Sequence, residues 1–383
     1  MRTVAELILV ICLLVGLLAL PAAATVWTVE KDGSGDFTII QDALDAAASG
    51  DTVSIGPGRF DDVHIFEFPD GVTDAHCLAR QDEMTIIGVG PDSTIIGPEQ
   101  GPGGQFEPDG VITDVNTILT LVGLAVQNCA DGVEINGLHG YVSDYRSRAN
   151  YRGILGFPRG GGLEVRDSEF LEIQERGIQV VDVLGAHGIL IEDCIFRGGT
   201  LGISLHSDDN LVRGCTFDGQ FVGLQFSFGA TGSVESCRFE NLGSTGVVLS
   251  TGSQIHLVDS HLGVSQANID VSNGSILTGS GNILLGGTFA SIRIIADTTI
   301  DFQGNHIFNA GGWSAYVVTP SLTQVSFDLT NNYWGTAEAE QISTWIRDKE
   351  DGATKTTVLF EPFSAIPLPT EQRSISSLKA RFD

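Results

Sequence analysis

The reading of this chain turns on five segments: LEVRDSEF (163–170), ILIEDCIF (189–196), NLVRGCTF (210–217), GSVESCRF (232–239) and IHLVDSHL (255–262). Each has apolar residues two apart, then a small residue, then a bulky one two further on. The small residues are Ser168, Cys194, Cys215, Cys237 and Ser260, and the series continues through Asn282, Asn305 and Asn332, with steps of 26, 21, 22, 23, 22, 23 and 27 residues. A period in the low twenties is the mark of a solenoid, in which each repeat buries its face only against its neighbours. A second register runs through Gly132, Gly153, Gly177, Gly202, Gly223, Gly246, Asn268 and Ser291, with steps of 21, 24, 25, 21, 23, 22 and 23.

Each coil therefore carries at least two short period-2 strands between turns rich in Gly, Asn, Asp and Ser. No stretch between the turns sustains a helical period, which excludes a helical repeat. Stacking puts equivalent residues in ladders about 4.8 Å apart. One ladder is small and polar, from Ser168 to Asn332. The other is bulky: Phe170, Phe196, Phe217, Phe239, Leu262, Leu284, Ile307 and Trp334.

With these repeats, DGSGDFTIIQDALDAAASGDTVSIGPGRF (32–60) resembles the capping helix and first strand of the right-handed parallel β-helix family, the pectin-lyase-like superfamily. NNYWGTAEAEQISTWIRDKEDG (331–352) and TTVLFEPF (356–363) resemble its closing turn and cap. The resemblance covers about residues 27–363 and implies an all-β solenoid of roughly ten or eleven coils, about 50 Å long from the strand spacing. It leaves the chemistry open, because this fold hosts lyases, hydrolases, epimerases and inactive scaffolds.

Residues 1–24 read as a signal peptide: Arg2, an apolar run from Leu7 to Leu20, and small residues Ala22–Ala24 before Thr25. Residues 25–366 form the β-helix with its caps, and 367–383 a flexible tail. Export places the mature chain outside the cell, in the periplasm or at the cell surface, off the membrane, as a monomer. A net charge of −28 argues against nucleic-acid partners and anionic membranes. Five cysteines remain after cleavage, an odd number, and three share one ladder position, which reads as buried free thiols rather than disulfides. No CxxC or HxxxH spacing offers a metal site. Asp32–Asp36 has spacing suggestive of a calcium loop but lacks the distal Glu, so it reads as a turn; no cofactor is implied, with calcium the one ion left open.

Phe37, Ile40, Leu44 and Ala47 fall at helical spacing and Gly50 ends that helix. Residues 97–115 read as a long loop walling a cleft. The repeat is weakest between Gly137 and Gly162, where His139, Tyr141, Tyr145, Arg146, Arg148, Tyr151, Arg152, Phe157 and Arg159 cluster around one acid, Asp144. Guanidinium groups pair with sugar carboxylates and tyrosines stack on sugar rings. In that arrangement Tyr145 or His139 would be the base and Arg148 a neutralising group, with Tyr141, Arg146, Tyr151, Arg152, Phe157 and Arg159 holding substrate. The bland alternative is an irregular coil whose arginines pair with neighbouring acids.

A second candidate is LHSDDN, with His206, Asp208 and Asp209 after a strand. It resembles only faintly the Asp-Asp of the family's polygalacturonases, whose Asn-Thr-Asp, Gly-His-Gly and Arg-Ile-Lys runs are absent in that order. A polar turn is its alternative. Two functional readings follow: a secreted lyase of acidic polysaccharide, or a non-catalytic carbohydrate-binding, adhesion or scaffold protein. Convergence of the Tyr/Arg side chains on one groove favours the first, and splaying favours the second. Export is tested by N-terminal sequencing of secreted material, which should begin within a few residues of Thr25; a mature protein retaining Leu7–Leu20 contradicts it.

Overall fold

A computed structural model describes residues 24–367 except 70, 102, 183–184, 264–265, 296, 320–325 and 349–355. The signal peptide and the tail expected from the sequence lie outside the described residues, apart from Ala24 and Pro367.

Each coil has three faces. The first is built from strands such as Leu163–Arg166, Leu190–Glu192 and Asn210–Arg213, and the second from Glu169–Leu171, Ile195–Arg197 and Thr216–Asp218. The third comprises Arg152–Gly156, Arg176–Val180, Leu201–Leu205 and their counterparts. Among the described residues, first and second faces merge into one 23-stranded network, because Ile118–Gln127 and His139–Arg148 run straight through the corner and pair on both faces. The third face is a 13-stranded sheet among the described residues. It is parallel except at its N-terminal end, where His64–Phe68 and Gly71–Ala79 form an antiparallel hairpin. The coil is thus longer than the ten or eleven turns expected. Gly71–Ala79, Asp109–Thr113 and Ile346–Arg347 extend the third-face stack at its two ends.

The ladders are as the period requires. The small polar residues from Ser168 to Asn332 are all buried, and so are the bulky ones from Phe170 to Trp334. Phe170, Phe196, Phe217 and Phe239 stack with centroids 4.8, 5.0 and 4.7 Å apart and planes within 8°. At the bends, Asn305 N donates to Asn332 Oδ1 (2.8 Å) and Asn282 N to Asn305 Oδ1 (3.0 Å), so each amide satisfies the coil below. The glycine ladder has a steric cause. A Cβ on Gly202 would lie 2.5 Å from the Gly223 carbonyl oxygen and 2.6 Å from the Phe217 ring. Gly177 meets Gly202 and Phe196 in the same way.

The N-terminal helix spans Ile40–Ala46, buries Ile40 and Leu44, and is tied to the third face by Leu78 N donating to Gln41 Oε1 (2.8 Å). A short helix at Ala339–Thr344 lies toward the other end. Asp32 accepts from Ser34 N and Oγ, and Asp36 from Thr28, so both carboxylates are engaged within the turn. All five cysteines in the described residues are free and buried.

Phe217→Ala should cost about 3–5 kcal/mol by opening a cavity between stacked rings. Cys215→Ser should cost about 1–3 kcal/mol, because the hydroxyl can donate to the carbonyls that the thiol now faces. Equal losses in denaturant titrations, or a disulfide among Cys194, Cys215 and Cys237 by mass spectrometry, would contradict this packing.

Candidate functional site

The Tyr/Arg segment does not converge. His139–Arg148 is one unbroken strand paired on both sides, so the repeat is intact where the sequence looked irregular. Tyr145 occupies the small-residue ladder position above Ser168, whose Oγ accepts its N–H, and is only 1 % exposed. Its ring meets Phe170 edge-on, its hydroxyl reaches the Gly153 carbonyl at 3.4 Å, and burial pushes its pKa far up. Tyr145 is a core residue and cannot serve as a base toward an external substrate. Tyr141 and His139 lie on the first face, their rings tilted against each other with centroids 4.2 Å apart. His139 Nδ1 accepts the Gly162 N–H, and burial lowers its pKa. Arg146 and Arg148 lie on the second face: Arg146 is held by Asp92 and Glu169, and exposed Arg148 sits 3.6 Å from Glu172. Three faces thus share the residues expected in one groove. The arginines on the second face neutralise neighbouring acids.

The Asp208–Asp209 pair is an exposed turn. Asp208 accepts from Thr231 Oγ1, and Asp209 sits at φ 55° with its N–H on the same hydroxyl. Asn210 closes that turn through Ser207 and the Thr231 carbonyl. His206 packs edge-on against Phe228 and its Nε2 lies 3.3 Å from Ser204 Oγ; burial and then Arg176 lower its pKa.

The chemistry-bearing cluster lies on the third face. Asp109, Asp131, Arg152 and Arg176 occupy one register position on successive coils, each directly before a ladder glycine. Asp131 is 3 % exposed and is clasped by Arg152 through Nε (2.6 Å) and Nη2 (2.8 Å). Arg152, expected among substrate-binding groups, instead compensates a buried carboxylate, so its removal should destabilise the fold. Asp109 Oδ1 accepts the Asp131 N–H at 2.9 Å. Carboxylate oxygens of Asp109, Asp131 and Glu134 lie within 4.8 Å of one another. Burial, then the neighbouring Asp131, pushes Asp109 up to about 8; burial raises Asp131 to about 6, against the pull of Arg152. Burial beside Asp131 therefore favours the protonated form of Asp109.

Beside this cluster, Asn136 Nδ2 donates to Glu134 Oε1, and the Asn136 carbonyl accepts from Arg159 Nε. Arg159 opens onto a cavity of about 450 Å³ lined by Glu67, Phe68, Pro69, Arg80, Asp114, Val115 and Arg159. The hairpin supplies one wall and the turns after third-face strands the others. Neither Arg80 nor Arg159 forms an ion pair among the described residues; Arg80 lies over the Phe66 ring at 5.6 Å. Phe157, which follows its third-face strand, is half-buried.

The sequence signals for this site were present. Stepping back 23 residues from Ser168 lands on Tyr145, and stepping back 22 from Gly132 lands on Gly110. DGVIT (109–113) thus repeats DGVEI (131–135). Residues 109–113 are a strand, and the loop read over 97–115 ends before Asp109.

Residues 152–307 match the protein family described as right handed beta helix region. The protein is a right-handed parallel β-helix, as the resemblance to the pectin-lyase-like superfamily implied. No curated protein sequence matches the chain. A solved structure of the periplasmic alginate epimerase AlgG is similar at 12 % identity and TM-score 0.52, over 75 % of this chain and 77 % of that one. The catalytic domain of a GH87 α-1,3-glucanase in complex with tetrasaccharides is similar at 11 % identity and TM-score 0.50, over 90 % and 68 %. At these identities the likeness is one of fold.

Asp109 makes stability depend on pH. Its folded value near 8 lies above the unfolded value of about 3.9, so between these the folded protein holds a proton that the unfolded chain has released. The contribution is complete below about pH 4 and is lost as pH rises toward 8. Asp131, raised to about 6, acts with the same sign over the lower part of that window. Asp109→Asn keeps the acceptor for the Asp131 N–H and should flatten the fall in melting temperature between pH 4 and 8. A variant whose melting temperature falls more steeply than the parent's contradicts the assignment.

Proposed function

We propose that this is an exported protein that binds an acidic polysaccharide on the N-terminal half of the third face. The observation that carries the reading is the cavity holding Arg80 and Arg159, two guanidinium groups without acidic partners among the described residues, in a chain of net charge −28. An anionic polymer is repelled by most of this surface, and it meets cations free to accept a carboxylate here. Glu67 and Asp114 on the cavity wall would orient sugar hydroxyls. Proteins sharing the fold include one named an alginate epimerase and one solved with tetrasaccharides, which supports a saccharide as the ligand class.

The binding reading is favoured over the lyase reading built on the Tyr/Arg segment, since Tyr145 is in the core and the arginines splay over the faces. One observation favours a catalytic role of another kind. Asp109, whose burial favours the protonated carboxyl, lies beside Glu134, and Asn136 links Glu134 toward the cavity rim, so a chain that reached from the cavity onto this cluster would meet a proton donor. Asp131, clasped by Arg152, serves to hold that proton on Asp109 rather than to attack the sugar.

Replacing Arg80 and Arg159 together with Ala should weaken binding of alginate or polygalacturonate by about 2–4 kcal/mol, with melting temperature unchanged. Arg148→Ala, on the second face, should leave binding intact. Absorbance at 235 nm and reducing ends, followed with the parent and Asp109→Asn, separate elimination, hydrolysis and binding alone. If the Arg80/Arg159 variant binds as the parent does, the site is elsewhere.

A further inference from the structure

Each third-face strand is preceded by one residue at the corner of the coil. The register runs Arg152, Arg176, Leu201, Val222, Thr245, Ala267 and Ala290. One residue earlier, the corner position is aromatic at Tyr151, Phe221 and Phe289. Glu175 and Thr200 occupy it in the two coils between the first pair of rings, and Ser244 and Gln266 in the two between the second. The rings recur every third coil, about 14 Å apart along the axis from the strand spacing. Phe221 is 54 % and Phe289 40 % exposed, and Tyr151 is partly exposed. The packing of the coil does not call for them, because the interior aromatic ladder lies on another face.

We propose that Tyr151, Phe221 and Phe289 form a stacking row for the sugar rings of a polysaccharide lying parallel to the solenoid axis. This rests on the saccharide reading of the third face and puts the chain along the corner before its strands, whereas the cavity lies at the turns after them. A ligand that meets like contacts at equal intervals is itself a repeating chain. The apolar faces of sugar rings suit exposed aromatic faces, and the polar corner residues between them suit hydroxyls. The row is continuous with the candidate site: Tyr151 stacks under the Arg152 guanidinium (5.7 Å), which clasps Asp131. In the loop before strand Asp109–Thr113, Phe106 stands 92 % exposed. At the far end, Phe289 meets Tyr316 at 4.8 Å, and the Arg347 guanidinium lies over the Tyr316 ring at 5.2 Å. Several spaced contacts on one polymer give an avidity that a short oligosaccharide cannot reach.

The test uses the full chain with alginate and polygalacturonate, each as a long polymer and as a tetrasaccharide, by affinity electrophoresis and calorimetry. Phe221→Ala and Phe289→Ala should each weaken long-chain binding about fivefold. They should act together in the double variant, leave the melting temperature unchanged, and leave tetrasaccharide binding at the cavity intact. Long-chain affinity of the double variant equal to the parent's overturns the row. If the Arg80/Arg159 variant nevertheless loses binding, the cavity reading stands without it; if only the phenylalanine variants lose binding, the row stands and the cavity reading falls. Failure of the parent to bind either polymer overturns both. A parent that self-associates, and that Phe221→Ala makes monomeric, assigns the rings to a second copy and overturns the row.

Discussion

The contact on which the architecture depends is a ring on the second face reaching across the coil to a glycine on the third. Phe170, Phe196, Phe217 and Phe239 lie against Gly153, Gly177, Gly202 and Gly223, and a Cβ at any of these would fall within 2.7 Å of the ring. Tyr145 makes the equivalent contact with Gly132 through its hydroxyl. Stacked rings bury a large apolar area in a coil too narrow for two layers of side chains, and the glycine makes room for them. When the bulky ladder changes to Leu284 and Ile307, the glycine position changes with it, to Asn268 and Ser291. Their side chains bond carbonyls of the second face and the segment that follows it, Leu262 and Phe308.

That contact also fixes the functional surface. The residue before each ladder glycine is Asp109, Asp131, Arg152 or Arg176 in the early coils, and Leu201, Val222 or Thr245 in later ones. Charge is concentrated toward the N-terminal end of the sheet, next to the hairpin strands that extend it. There desolvation raises both aspartates and the Arg152 clasp makes burial of Asp131 tolerable. Many other carboxylates on the solenoid meet an adjacent arginine, as Glu192 meets Arg166 and Arg213. Asp270, clasped by Arg293 further along the same face, is also buried and raised, so what distinguishes the first pair is that Asp109 and Asp131 stack directly on one another.

The repeat was readable because ladders leave a periodic residue type, and Ser168 to Asn332 and Phe170 to Trp334 take the places that their spacing assigned. Tyr145 was misread for a physical reason: a large side chain stands where its neighbours carry Ser or Cys, and composition suggested a surface graft. Carrying the period one step back would have placed it inside. Asp109 and Asp131 were overlooked because an acid before a glycine reads as a turn, and only the register shows two of them stacked. The cavity arginines, 79 residues apart in sequence at Arg80 and Arg159, come together through a hairpin whose antiparallel pairing no period announces.

The central claim is that a polysaccharide occupies the third face near the hairpin. Hydrogen exchange of the full chain with and without alginate or polygalacturonate tests it most directly, because hairpin and turn amides exchange without global opening. The account predicts slowed exchange in the hairpin carrying Glu67 and Phe68 and in the turn carrying Arg159, with the turns between first and second faces unchanged. Slowing confined to those latter turns, with hairpin amides indifferent to a polymer that binds, would contradict it.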